Sequence, residues 1–339
     1  MQPLERGASG PRVLELRSRL TKAGFPPDED EPGIFGPATS AALEAFQHRR
    51  GLRIDGRCGP DTWAVLVEAG FRLGDRELLR TSPMMRGDDV ADLQQRLGAL
   101  GFDTGRVDGI FGDATARGVS DFQANAGIRT DGIVDASTLH ELVRMRARHS
   151  RAEIVADVRA REELRSTPAT LAGRLVAIAE NGGMGEALQT LEAHLQRSGA
   201  QVVLLADADD SLQAARANAH AAEVLVSLRL AHQRGCLSSY YAGYHTESEG
   251  GRHLAELVQS VVPSALHTMD RGTSGMSVAL LRETRMPAVV IELAPDDLAE
   301  RGQPAILAEA IATALGTWVC APWDWAPNRE DRSRPLPKP

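Results

Sequence analysis

The side chains best able to do chemistry fall in the second half of this 339-residue chain. Six of its nine histidines lie there: His194, His220, His232, His245, His253 and His267. No two of them are four residues apart, the spacing that sets paired imidazoles on one helix face around a metal. Each reads more simply as a surface or hydrogen-bonded imidazole, with His232 and His245 the two best placed to turn toward a pocket. Glu292 stands apart from the other acids because it ends an apolar run that begins at Ala288. A carboxylate drawn partly out of water there needs a counter-charge or hydrogen-bond donors. Cys58, Cys236 and Cys320 are far apart and odd in number, which fits free thiols in a reducing compartment rather than a disulfide framework.

The elements that must position Glu292 are legible as apolar runs alternating with helical patterns. Strands are expected over 175–179, 201–205, 224–228 and 288–293. Helices are expected around Leu188, Leu191 and Leu195, and over 211–222, 251–262, 277–283 and 305–319; Ser239 to Tyr241 add a further short segment. Continuous apolar strands between helices indicate a sheet covered on both faces and largely parallel.

The N-terminal 145 residues carry a different signal, one module written twice. Leu16, Leu20, Gly24, Phe25, Gly33, Phe35, Gly36, Thr39, Phe46, Gln47, Gly51, Asp55, Gly56 and Thr62 recur about 77 positions later. Their counterparts are Leu93, Leu97, Gly101, Phe102, Gly109, Phe111, Gly112, Thr115, Phe122, Gln123, Gly127, Asp131, Gly132 and Thr138. Each copy predicts three short helices joined by glycine turns, with the leucines and phenylalanines as core. The order Gly-Ile-Phe-Gly-x-x-Thr, Phe-Gln, Asp-Gly and Thr resembles the peptidoglycan-binding domain of bacterial cell-wall hydrolases. Copy two keeps Asp108 ahead of that motif, whereas copy one has Pro32. The resemblance implies glycan or stem-peptide binding, and Ile34, Phe35, Asp108, Ile110 and Phe111 are the candidate contacts.

The C-terminal part resembles a second family, the zinc-dependent N-acetylmuramoyl-L-alanine amidases. The resemblance rests on Leu281-Arg282 followed by Met286-Pro287-Ala288-Val289-Val290-Ile291-Glu292, and on Ala217-Asn218 followed by the run from Ala222 to Leu228. It implies a mixed, largely parallel sheet. The expected architecture is multi-domain: two small all-α three-helix modules at 1–72 and 80–145, a linker at 146–173, an α/β domain at 174–320 and a disordered tail at 321–339.

Amide hydrolysis in this family uses zinc on three protein ligands, commonly His, Glu and His. The metal lowers the pKa of its bound water to about 7 while a carboxylate shuttles the proton. The resemblance assigns that catalytic carboxylate to Glu292. It assigns the ligand positions to Asn181, to Glu186 (with Glu180 as a lesser choice) and to Arg229. Asparagine and arginine thus stand where histidines are expected. A guanidinium keeps its proton and has no lone pair to offer, so the zinc site reads as lost, and an ion pair between Arg229 and Glu292 is expected in its place.

Two functions follow. One is a non-catalytic protein on an amidase scaffold that recognises peptidoglycan, its precursors or cell-wall synthesis proteins, with no cofactor. The other is an active amidase with Glu292 as base and zinc held by unconventional ligands such as Glu186 and His232. A net charge of −8 argues against nucleic acid as a partner, and no stretch approaches the ~20 apolar residues of a membrane span. Met1 to Glu5 run straight into the first module without a basic or apolar leader pattern. A cytoplasmic location is therefore expected, with the cell wall as the alternative.

Overall fold

The computed structural model describes residues 2–146, 162, 169–243, 246–300 and 302–320. Most of the expected linker, the whole expected tail and His245 lie outside the described residues.

Each repeat is a three-helix unit. Helices α1 (Pro11–Lys22), α2 (Pro37–Arg49) and α3 (Pro60–Glu68) all begin with proline at the first turn, where a missing N–H costs nothing. Val13, Leu16, Leu20, Leu43, Phe46 and Leu66 close the first core. The second repeat has α4 (Asp88–Ala99), α5 (Asp113–Ala126) and α6 (Ala136–Arg146), with Val90, Leu93, Leu97, Val119, Phe122 and Leu142 inside. The copies match in detail: Phe25 meets Phe46 edge-on at 5.7 Å, and Phe102 meets Phe122 edge-on at 5.5 Å. Leu4 bridges Cys58 as Leu78 bridges Val134, so Cys58 occupies a core position that valine fills in the sister repeat. Burial pushes its thiol up to about 12, too high for a reactive thiolate.

The C-terminal domain runs β1 (Leu175–Glu180), α7 (Gly185–Arg197), β2 (Gln201–Ala206), α8 (Asp210–Ala219) and β3 (Val224–Leu230). Next come β4 (Cys236–Tyr241), α9 (Glu249–Leu266), β5 (Asp270–Met276), α10 (Ala279–Glu283), β6 (Ala288–Leu293) and α11 (Gln303–Cys320). The strand order is β2-β1-β3-β6-β4-β5, and every neighbouring pair is parallel except β6 with β4. The sheet is therefore mixed and mostly parallel, as expected. One face carries Val176, Ile178, Val226, Leu228 and Ile291 beneath α7, α9 and α11. The other carries Ala177, Ala179, Leu225, Ala288 and Val290 beneath α8 and α10. Small alanines on this second face let α8 approach closely.

Strand β5 was not among the expected elements. Its sequence, Asp-Arg-Gly-Thr-Ser-Gly-Met, has neither apolar alternation nor an apolar run, and it is held as an edge strand by its backbone pairing to β4.

Candidate functional site

Strands β1 and β3 are neighbours whose onward connections leave in opposite directions, β1 to β2 and β3 toward β6. In open α/β sheets the crevice beyond the carboxyl ends of such a strand pair is where ligands bind. Here those ends carry Glu180-Asn181 and Ser227-Leu228-Arg229, and β6 adds Glu292 beside them. Arg229 and Glu292 are register partners on adjacent strands, so their side chains share the face covered by α8 and α10.

The expected Arg229–Glu292 ion pair is corrected by the structure. Arg229 gives its Nη2 to Asp210 Oδ1 at 2.7 Å and its Nε to Ser227 Oγ at 3.3 Å. Asp210 opens α8, which lies over the carboxyl end of β3, and reaches the guanidinium from above; side-chain exposures of 17% for Arg229 and 22% for Asp210 make the pair mostly buried. Glu292 is half-buried and, among the described residues, makes no ion pair.

The remaining ligand positions do not converge. Asn181 is exposed and its Oδ1 accepts from Gln213 Nε2 of α8 at 3.1 Å. Glu186 is exposed in the first turn of α7, while Glu180 accepts the Met184 N–H. His232 is exposed in the turn after β3. Among the described residues no group of three or more His, Cys, Asp or Glu is arranged to hold a metal ion. A hydrogen-bonded amide, an isolated surface acid and a cation already paired to its own carboxylate do not make a zinc donor set.

In the repeats, the motif residues hold the fold. Gln47 Nε2 donates to Asp55 Oδ1, the Arg57 carbonyl and Thr62 Oγ1, while its Oε1 accepts from the N–H groups of Asp55 and Gly56. Gln123 does the same with Asp131, Ile133, Thr138 and Gly132. The Phe-Gln…Asp-Gly…Thr pattern is thus one buried amide clamping one turn. Gln94 repeats the device on Asp108, Gly109 and Thr115. In copy one Arg17 replaces Gln94 and reaches the carbonyls of Pro27 and Asp30, so Pro32 is tolerated. Of the candidate contacts, Phe35 and Phe111 are fully buried core side chains, and Ile34 is exposed. Asp108 meets the C-terminal domain through its carbonyl, and Ile110 is buried.

That junction was invisible in the sequence. Arg282 of α10 donates through Nε to the Asp108 carbonyl at 2.8 Å and through Nη1 to Glu68 of the first repeat at 2.7 Å, so one side chain engages both repeats. Burial works against its charge, but Glu68, Tyr241 and Asp108 together outweigh it and hold the guanidinium above its usual range. Arg86 pairs with Glu283 at 2.7 Å, Arg106 donates to the Thr284 carbonyl at 2.6 Å, and its guanidinium lies 4.3 Å from the Tyr241 ring centre. Arg50 and Asp88 join the repeats through two hydrogen bonds of 2.8 and 2.7 Å. Gly51 passes its carbonyl to the Ser277 N–H at 2.7 Å; a methyl there would sit 3.0 Å from the Ala242 carbonyl, and its φ of 61° favours glycine as well. A cavity of about 40 Å³ remains among Arg50, Glu68, Asp88, Asp108, Tyr241 and Arg282.

Comparison with known proteins agrees with this architecture. The family model for a peptidoglycan binding domain matches residues 9–66 and 86–142, and that for N-acetylmuramoyl-L-alanine amidase matches 176–316. The N-acetylmuramoyl-L-alanine amidase CwlM of Mycobacterium tuberculosis is 32% identical over 321 residues, 83% of this chain and 79% of that one. The amidase CwlL of Bacillus licheniformis is 33% identical over 160 residues, 41% of this chain and 44% of its own. A solved N-acetylmuramoyl-L-alanine amidase from Clostridium difficile 630 is 22% identical, covering 44% of this chain and 98% of its own at a TM-score of 0.38. With a similarity that runs through repeats and C-terminal domain alike, this chain belongs to the N-acetylmuramoyl-L-alanine amidase family and carries two peptidoglycan-binding domains ahead of its amidase domain.

Proposed function

We propose that this protein recognises peptidoglycan or its precursors without hydrolysing them, and acts in cell-wall metabolism or its regulation. The observation that carries the reading is the Arg229–Asp210 pair at the crevice. An arginine offers no lone pair to a metal, and at an effective dielectric of about 20 a guanidinium and a divalent cation about 4 Å apart repel by roughly 8 kcal/mol. Asp210 would have to release Arg229 before a cation could be accommodated, which leaves a mostly buried charge unpaired. On this reading the site does not take up the metal that would make water nucleophilic at neutral pH. Glu292, still at the end of β6, can accept a hydrogen bond from a ligand N–H but has no activated water to deprotonate.

Partners of this reading are peptidoglycan, its soluble precursors or enzymes of wall synthesis, met in the cytoplasm, and no zinc is required. No described helix is long and apolar enough to cross a membrane. Hydrolysis of the lactyl–L-alanine amide is the competing reading, favoured by the name that the 32%-identical relative carries. Dye release from labelled sacculi, with zinc and then with chelator, separates the two. The proposal expects no release under either condition. Chelator-sensitive release by the purified chain contradicts it.

A further inference from the structure

Glu283, the last residue of α10, stands between the repeats and the crevice. Its side chain is 14% exposed, and among the described residues Arg86 of the second repeat is the cation paired with it. The same oxygen, Oε1, takes Arg86 Nη1 at 2.7 Å and Ser211 Oγ at 3.1 Å. Ser211 belongs to the first turn of α8, and its neighbour Asp210 holds Arg229 at 2.7 Å. Successive helical residues point about 100° apart, so one turn can offer a hydroxyl to α10 and a carboxylate to β3. Arg86, Glu283, the Asp210–Ser211 turn and Arg229 thus form a continuous line from the second repeat to the crevice.

The body of α8 is held without the repeats. Gln213 Nε2 donates to the carbonyls of Glu180 at 2.8 Å and Leu205 at 3.1 Å. Asn218 Nδ2 donates to the Glu283 carbonyl at 2.8 Å, and its Oδ1 accepts from Arg285 N–H at 2.9 Å. The first turn is different. Its opening N–H groups have no acceptor within the helix, and the cap Asp209 takes one of them, from Leu212. A turn of this kind opens more readily than the body of its helix. Undocking the second repeat removes Arg86 from Glu283 and leaves a mostly buried carboxylate without its counter-charge. To regain water that carboxylate has to turn away from Ser211.

We propose that docking of the second repeat locks the crevice: Arg86, through Glu283 and Ser211, sets the first turn of α8 and so keeps Asp210 on Arg229. The other arginines of the junction end elsewhere. Arg282 reaches the Asp108 carbonyl and Glu68, and Arg106 reaches the Thr284 carbonyl. Glu283 is the junction carboxylate shared with α8. Linkage makes the lock reciprocal: a ligand that draws Asp210 away from Arg229 loosens the docking by the same factor that undocking loosens the pair. The lock does not depend on whether the crevice binds or hydrolyses.

Amide hydrogen exchange on the full chain tests it, read at Leu212 and Gln213, whose N–H groups are both accepted by Asp209. Arg86→Ala cuts the line from the repeat side, at a side chain that is 35% exposed and outside that repeat's apolar core. Exchange at Leu212 and Gln213 is expected to rise about fivefold or more, although the substitution lies in another domain. Ser211→Ala cuts the same line from the α8 side and gives a similar rise. The double variant exchanges no faster than the quicker single one, because both changes break one connection. Arg80→Ala, which removes an exposed ion pair with Asp113 in the same repeat, leaves both amides at the wild-type rate. Wild-type exchange at Leu212 and Gln213 in Arg86→Ala, with 106–111 accelerated, overturns the lock: the junction then opens without reaching α8. Additive effects in the double variant, or an equal rise in Arg80→Ala, overturn it as well.

Discussion

Position 229 shows how a side chain can be legible in the sequence while its partner is not. Its strand was readable because Val224 to Leu228 is a continuous apolar run, and its charge was readable from the sequence. Its partner was not, because Asp210 lies 19 residues earlier and reaches Arg229 only after α8 has packed on the sheet. For so buried a pair, a double-mutant cycle on Arg229→Ala and Asp210→Ala is expected to give a coupling of about 1–2 kcal/mol in urea unfolding. Additive losses would show that the pair is incidental. The repeat signature is also a residue-scale matter. Gln123→Ala removes three donor and two acceptor contacts from a buried turn and is expected to cost about 2–4 kcal/mol, with Gln47→Ala similar in the first repeat. Unfolding midpoints unchanged in both variants would contradict the structural role assigned to these glutamines.

At the scale of elements, most of the C-terminal domain was legible because buried strands and amphipathic helices leave strong periodic signals. The helix expected over 305–319 is α11 with its ends slightly extended, and the strand expected over 288–293 is β6. Strand β5 escaped because a polar edge strand is specified by its neighbour. The turns that fix β4 and β5 depend instead on Asp297, whose carboxylate accepts from Gly235 N–H at 2.9 Å, Ala294 N–H at 3.0 Å and Thr268 Oγ1 at 2.6 Å. Burial alone would raise its pKa, and these hydrogen bonds outweigh burial, so it titrates below the ordinary carboxylate range. Its stabilising contribution is complete above about 3.9, the unfolded value, and is lost as pH falls through the lower folded value. Asp297→Asn is therefore expected to be less stable than wild type at pH 6, with the gap narrowing toward pH 2 as the native carboxylate is protonated. A gap independent of pH, measured by urea unfolding, would contradict this account of Asp297.

Across the whole molecule, the repeats are docked on the amidase domain through Arg282, and nothing local in Leu-Leu-Arg-Glu announces it. Partner choice among many arginines and acids is settled only by the final arrangement. Arg282→Ala leaves Glu68 without its counter-charge and is expected to loosen the junction while sparing each core. Amide exchange should then accelerate about tenfold or more at 106–111 and 277–284, with the helices of the repeats unchanged. Uniform protection across the junction would show that Arg282 does not hold it. The same docking brings Arg86 onto Glu283, which also accepts from Ser211 Oγ next to Asp210, so the junction lies one residue from the Arg229–Asp210 pair. The proposed function turns on the Arg229–Asp210 pair at this crevice. Its most direct test is an anomalous-scattering map, collected at the zinc edge from crystals grown with excess zinc. No peak is expected beside Glu292, with the Arg229–Asp210 contact intact; a zinc ion seated there on three or more protein donors would overturn the proposed function.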